Sequence, residues 1–121
     1  SWHDVLEGSR LPSDGHNLVF HEFAHQLDQE TGKTTGTPLL KSSADYKEWA
    51  RVFSRAFTQL KSHVAYSMPH VIHSYGATNE AEFFAVITET FIEKPAELRR
   101  YDPEIYRLLV NYYQFDPISW H

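Results

Sequence analysis

Cysteine is absent from all 121 residues. A disulfide scaffold and any thiolate-ligated metal site are therefore excluded, and a metal bound here must take its ligands from His, Asp and Glu. Basic charge is also scarce. Lys and Arg number 11 against 16 Asp and Glu, for a net charge of −5, with no basic stripe to offset it. Neither a nucleic-acid partner nor an anionic membrane surface is expected from that balance. No apolar run approaches the length of a membrane span, no signal-peptide pattern opens the chain, and no repeat or low-complexity tract interrupts it. The missing cysteines and leader favour the cytoplasm. The chain opens on Ser1 and runs straight into Trp2-His3-Asp4-Val5-Leu6, which reads as a piece of a longer protein.

What is present describes a packed protein. Hydrophobic residues make up 41% and aromatics 15%, enough for a single domain over residues 1–121 with a core of its own. Residues 1–7 read as a short edge strand or a helical turn, and Gly8, Pro12 and Gly15 as a loop. Asp14 or Asn17 can cap a helix carrying Leu18, Phe20, Phe23, Ala24 and Leu27, an apolar surface broad enough for a central, mostly buried helix. Thr31 to Pro38, with two glycines and a proline, is a loop. A long amphipathic helix follows from about 44 to 65, with Tyr46, Trp49, Ala50, Phe53, Phe57, Leu60 and Val64 stepping by three and four, and with Ser42 as its cap. Met68-Pro69 ends it. Asn79 caps the next helix, which Lys94-Pro95 terminates near Glu93. A short helix fits Pro95 to Tyr101, and Asp102-Pro103 starts a last one that runs to about Phe115. The expected fold class is mainly α, α+β at most, with one short N-terminal edge strand as the β element.

Within the first helix, residues 21–25 read His21-Glu22-Phe23-Ala24-His25. Residues four apart on a helix lie one above the other, so both imidazoles face one side and can hold Zn²⁺, with Glu22 near enough to act on a metal-bound water. Eight histidines in the chain raise the odds of an accidental H-E-x-x-H to about 4%, so the context must carry the reading. Zinc needs a third protein ligand and an open position for water. The helix after Asn79 offers Glu80, Glu82, Glu89 and Glu93. Glu82 stands ahead of the apolar run Phe83-Phe84-Ala85-Val86-Ile87, either as an exposed capping-box partner of Asn79 or as a buried ligand.

The segment Ser74-Tyr75-Gly76-Ala77-Thr78-Asn79-Glu80-Ala81-Glu82-Phe83-Phe84-Ala85 resembles the active-site segment of the anthrax lethal factor protease domain. The whole chain, from Ser1-Trp2 through Gly15-His16-Asn17 and His21 to Asp28, resembles the Mlc titration factor A family of bacterial glucose-regulated zinc metallopeptidases of the gluzincin type. The resemblance implies a zincin-like catalytic core built on a central H-E-x-x-H helix and holding one Zn²⁺. It implies His21, His25 and Glu82 as metal ligands, Glu22 as general base, and Tyr75 as a hydrogen-bond donor beside the metal. Zinc lowers the pKa of bound water to about 7, Glu22 can take the proton as that water attacks a peptide carbonyl, and a phenol can donate to the oxyanion that forms. It further implies a peptide substrate with aminopeptidase-like or short-peptide cleavage, and sequestration of a transcriptional repressor of sugar-uptake genes. That second role is a binding function which need not use zinc. A structural zinc site, the third reading, lacks an evident fourth ligand.

The surrounding residues leave choices open. Asp28 shares the helix face of His21 and His25, and can orient a ligand imidazole or contact the Thr31–Thr37 loop. Some gluzincins place an acidic residue four positions after the ligand Glu, where this chain has Val86. Glu89, a further turn on, is a weak substitute. His16, just before the ligand helix, can reach the cleft, though a structural hydrogen bond is the favoured expectation. His70 and His73 read as solvated or packed rather than as a second metal site, and His3, His63 and His121 as surface residues.

Overall fold

The computed structural model describes residues 18–30, 32 and 35–120. The expected edge strand, the loop before the first helix, its caps Asp14 and Asn17, and His3, His16 and His121 lie outside these residues. Among the described residues six helices follow in order: α1 Leu18–Gln29, α2 Ser43–Ala65, α3 Glu80–Glu93, α4 Pro95–Tyr101, α5 Pro103–Tyr113 and α6 Pro117–Trp120, with a 3₁₀ turn at Ser74–Ala77 between α2 and α3. No strand occurs among the described residues, so the described fold is mainly α. None of their helices is long and apolar enough to cross a membrane.

The helix limits follow local chemistry. Ser42 accepts from the Asp45 amide and Asn79 from the Glu82 amide, each satisfying an orphan donor of a first turn. Lys94 separates α3 from α4, whose first residue is Pro95. Asp102 caps α5 through the Ile105 amide, and α5 stops at Gln114, whose left-handed φ of 58° closes it. That end comes a little before the expected one, and the short α6 and the 3₁₀ turn are additions to the sequence reading.

The central helix is α3. Every residue from Phe83 to Glu93 is buried, because α1, α4 and α5 all pack against it. Each buried Phe or Ile contributes roughly 1.5–3 kcal/mol relative to an exposed one. The α2 stripe is Trp49, Val52, Phe53, Ala56, Phe57 and Leu60. It sits slightly rotated from the expected one, with Ala50 and Tyr46 outward. Tyr46 instead accepts the Leu40 amide proton at 3.0 Å. Trp49 stacks on Phe53 with centroids 4.1 Å apart and meets Phe84 edge-on, and Phe53 meets Phe83 edge-on, so aromatic pairs join α2 to α3.

The H-E-x-x-H helix is less buried than its apolar content suggests, which corrects the expectation of a central, mostly buried α1. Only Phe20, His21, Ala24 and Asp28 are buried on it, the face that packs on α3. Leu18 is 64% exposed. Together with Val19, Glu22, Phe23 and Gln26 it lines a shallow, largely apolar groove on the side of α1.

The loop after α1 holds three helices in place. Gly36 donates to Asp28 at 2.8 Å, and its carbonyl accepts from the Trp49 indole at 3.3 Å. Its φ is +81°, and a Cβ there would lie 2.4 Å from the Glu80 carbonyl oxygen. Only glycine fits both the dihedral and the space. On the opposite side, Arg55 of α2 donates to both oxygens of the buried Asp102 at 2.7 and 3.0 Å.

Two outcomes are expected in urea unfolding. Gly36→Ala should lose at least about 2 kcal/mol of stability, since a left-handed residue with a backbone clash cannot relax in place. An unchanged midpoint would refute the close approach to Glu80. Asp102→Ala should lose about 1–2 kcal/mol through the lost cap and the lost bidentate pair with Arg55, which keeps Gln59 and Glu104 as partners. A loss no larger than that of an exposed surface residue would refute it.

Candidate metal centre

His21 and His25 lie one turn apart on α1, and their rings meet edge-on with Nε2 atoms 3.1 Å apart. Glu82, in the first turn of α3, brings one oxygen, Oε1, to 2.9 Å from His21 Nε2 and 2.7 Å from His25 Nε2. Three potential ligand atoms thus converge on one point from two helices, in a half-buried setting. The reciprocal capping box is not formed, because the Glu82 carboxylate turns to the imidazoles and Tyr75 instead of back to Asn79. The Glu82 amide is capped by Asn79, which leaves the side chain free to turn to the imidazoles.

The other oxygen of Glu82 accepts from the Tyr75 hydroxyl at 2.8 Å. Burial alone would raise the Glu82 pKa, but the bonds from Tyr75, His25 and His21 outweigh it and hold the carboxyl below its ordinary value. The same bond to Glu82 pushes the Tyr75 phenol up, so Tyr75 keeps its proton and remains a donor. Tyr75 is 45% exposed and is carried by the 3₁₀ turn, where the His73 imidazole accepts the Tyr75 amide proton at 3.1 Å. Buried Gly76 lets the turn lie against Leu60 and Val86, with only 3.3 Å left for a Cβ on either side.

On its far side, His21 Nδ1 hydrogen-bonds the Glu89 carboxylate, which is fully buried. Glu89 stands two turns after Glu82 and so on the same face of α3. The sequence reading ranked it a weak substitute, because spacing alone does not reveal which side of α3 meets α1. Val86, at the position where some gluzincins are acidic, packs on Gly76 instead. Asp28 takes the loop contact, accepting from the Thr35 and Gly36 amides at 3.2 and 2.8 Å. Those two donors compensate a carboxylate at a helix C-terminus.

The donor set suits a divalent cation. In the tautomer whose Nδ1 donates to Glu89, His21 would turn a lone pair at Nε2 toward His25 Nε2 and a carboxylate oxygen. Three electron-rich atoms around one point repel unless a cation lies among them. Tetrahedral zinc with bonds of about 2.0–2.1 Å spaces its ligand atoms about 3.3 Å apart, and the observed triangle is tighter by only a few tenths of an ångström.

Glu22 follows His21, is exposed, and faces the groove formed with Leu18, Val19, Phe23 and Gln26. His70 and His73 serve the backbone. His70 Nδ1 bonds the Ile72 carbonyl at 2.6 Å, and His73 holds Tyr75 as above, so nothing described here makes a second metal site of them. His63 departs from its expected surface role. It is half-buried, with Nδ1 2.8 Å from the Tyr101 hydroxyl.

Comparison with known proteins gives the family. The chain is 48% identical over 118 residues to an uncharacterised protein of Synechocystis sp., an alignment covering 98% of this chain and 43% of that protein. It is 32% identical over 127 residues to Mlc titration factor A of Pectobacterium atrosepticum, covering 98% and 45%. Mlc titration factor A of Yersinia pestis is 31% identical over 124 residues, covering 98% and 44%. The chain therefore spans less than half the length of these relatives. The family profile described as glucose-regulated metallo-peptidase M90 matches residues 1–114. With that match spanning nearly the whole chain, and two histidines and a glutamate grouped as a metal would need, the chain belongs to the glucose-regulated metallo-peptidase M90 family.

Proposed function

We propose that this chain carries the catalytic centre of a zinc-dependent peptidase of zincin type, with His21, His25 and Glu82 as the ligands of one zinc ion. The observation that carries the proposal is the convergence of His21 Nε2, His25 Nε2 and Glu82 Oε1 within 3.1 Å of one another. When bound, zinc supplies a Lewis acid that activates water and polarises a carbonyl.

The chain's own residues do the rest. Glu22, on the turn that carries His21, is the general base. It takes a proton from the attacking water as the oxygen–carbon bond forms, then passes it to the departing amine as the carbon–nitrogen bond breaks. Tyr75, held protonated beside Glu82, turns its one hydroxyl proton from that carboxylate to the oxygen on which negative charge develops. The substrate class in this reading is peptides, short ones cleaved from an amino end among them; the word metallo-peptidase in the family description supports peptide hydrolysis and says nothing of the cleavage position.

A second reading rests on the names of the relatives from Pectobacterium and Yersinia, which describe them as titration factors for Mlc. In that reading the protein sequesters a transcriptional repressor, and zinc chemistry is secondary. A cytoplasmic setting goes with it, since such a partner is met there.

Two substitutions test these readings. Glu82→Ala should weaken zinc binding by more than about 100-fold, measured by competition with a chromophoric chelator, because removing a ligand exceeds the 10–100-fold typical of outer partners. Zinc retained at full affinity would sink the three-ligand site. Glu22→Gln should keep zinc while lowering kcat for peptide hydrolysis by about 10²–10⁴-fold. Undiminished hydrolysis would remove Glu22 as the base, and Mlc binding that survives in the same variant would make binding independent of chemistry.

A further inference from the structure

The most unusual group in the molecule is Glu89, a carboxylate that is 0% exposed in the middle of the most apolar helix. Such a group is expensive to bury unless a well-placed partner meets it. Its presence therefore calls for a reason other than packing. The reason lies 68 residues away in sequence, where Glu89 Oε1 meets His21 Nδ1.

We infer that Glu89 is the positioning residue of the metal centre, acting through His21. This rests on the reading of His21 as a ligand. An imidazole on a helix can rotate about its side-chain torsions, and either nitrogen can carry the proton. A buried acceptor at Nδ1 removes both freedoms. It keeps the proton on Nδ1, leaves Nε2 as the lone pair, and fixes the ring plane so that Nε2 points at Glu82 Oε1 and His25 Nε2, 2.9 and 3.1 Å away.

The placement on α3 explains why this residue holds the role. Glu82 and Glu89 are two turns apart on one face, so a single rigid helix grips His21 from both sides, one carboxylate at each ring nitrogen. The intervening turn presents Val86, which packs against Gly76 under the Tyr75 turn. Val86 has no side-chain oxygen to offer the imidazole. The acceptor thus sits one turn beyond the position that some gluzincins use.

A packing residue and a positioning residue predict different responses, and full-length chain carrying Glu89→Gln or Glu89→Leu separates them. The readouts are the unfolding temperature of each protein without metal, its increase on adding zinc, and the zinc Kd. If Glu89 positions His21, zinc affinity falls 10–100-fold in Glu89→Leu and the zinc-induced increase shrinks with it, whatever the metal-free melting temperature. Glu89→Gln keeps an acceptor oxygen for the Nδ1 proton and should recover part of that loss. A lower metal-free melting temperature together with an undiminished zinc-induced increase would overturn the inference and make Glu89 a packing residue. Equal zinc affinity in all three proteins would also overturn it while leaving the three-ligand reading intact. Failure of the wild-type chain to bind zinc would overturn both.

Discussion

The contact between α1 and α3 is an apolar helix interface with a polar seam through it, and the candidate site exists only because the seam is in register. His21 sits in that seam with Glu82 at one ring nitrogen and Glu89 at the other. Buried charge is unfavourable unless its partners are placed well, so the packing around the seam must be firm. The wholly buried run of α3 from Phe83 to Glu93 and the aromatic pairs joining it to α2 supply that firmness. A shift of one residue along either helix would separate the imidazole from both carboxylates.

The rest of the described fold keeps the two helices from shifting. Asp28 at the end of α1 binds the loop amides, Gly36 in that loop lies against the start of α3, and Trp49 of α2 holds the same glycine by its carbonyl. Leu60 of α2 and Val86 of α3 seat the 3₁₀ turn that presents Tyr75. No residue of α2 is a candidate ligand, yet α2 backs the elements on either side of the site. Chemistry carried on helices braced in this way keeps its geometry better than chemistry carried on loops.

Much of this was legible in the sequence. Ser42, Asn79 and Asp102 were readable as caps and Pro95 and Pro103 as helix starts, because capping involves atoms only a few residues apart. The H-E-x-x-H pair was readable for the same reason, since the helix repeat alone brings residues 21 and 25 together. The degree of burial of α1 was less legible. Its apolar residues surround more of the helix than one neighbour covers, and periodicity does not say how many neighbours a helix will have.

The sequence by itself determined where α2 to α5 begin and that two imidazoles share one face, since both follow from local backbone geometry. Only the tertiary structure decided that Glu82 both lies under a cap and meets the imidazoles, that Asp28 turns to the loop, and that Glu89 rather than position 86 reaches His21. Those outcomes join residues 57 to 68 apart along the chain, except for Asp28, whose partners belong to a loop folded back by its contact with α2 and α3. Contacts of that span depend on how helices rotate and slide against one another as the core closes, and no local pattern encodes that choice.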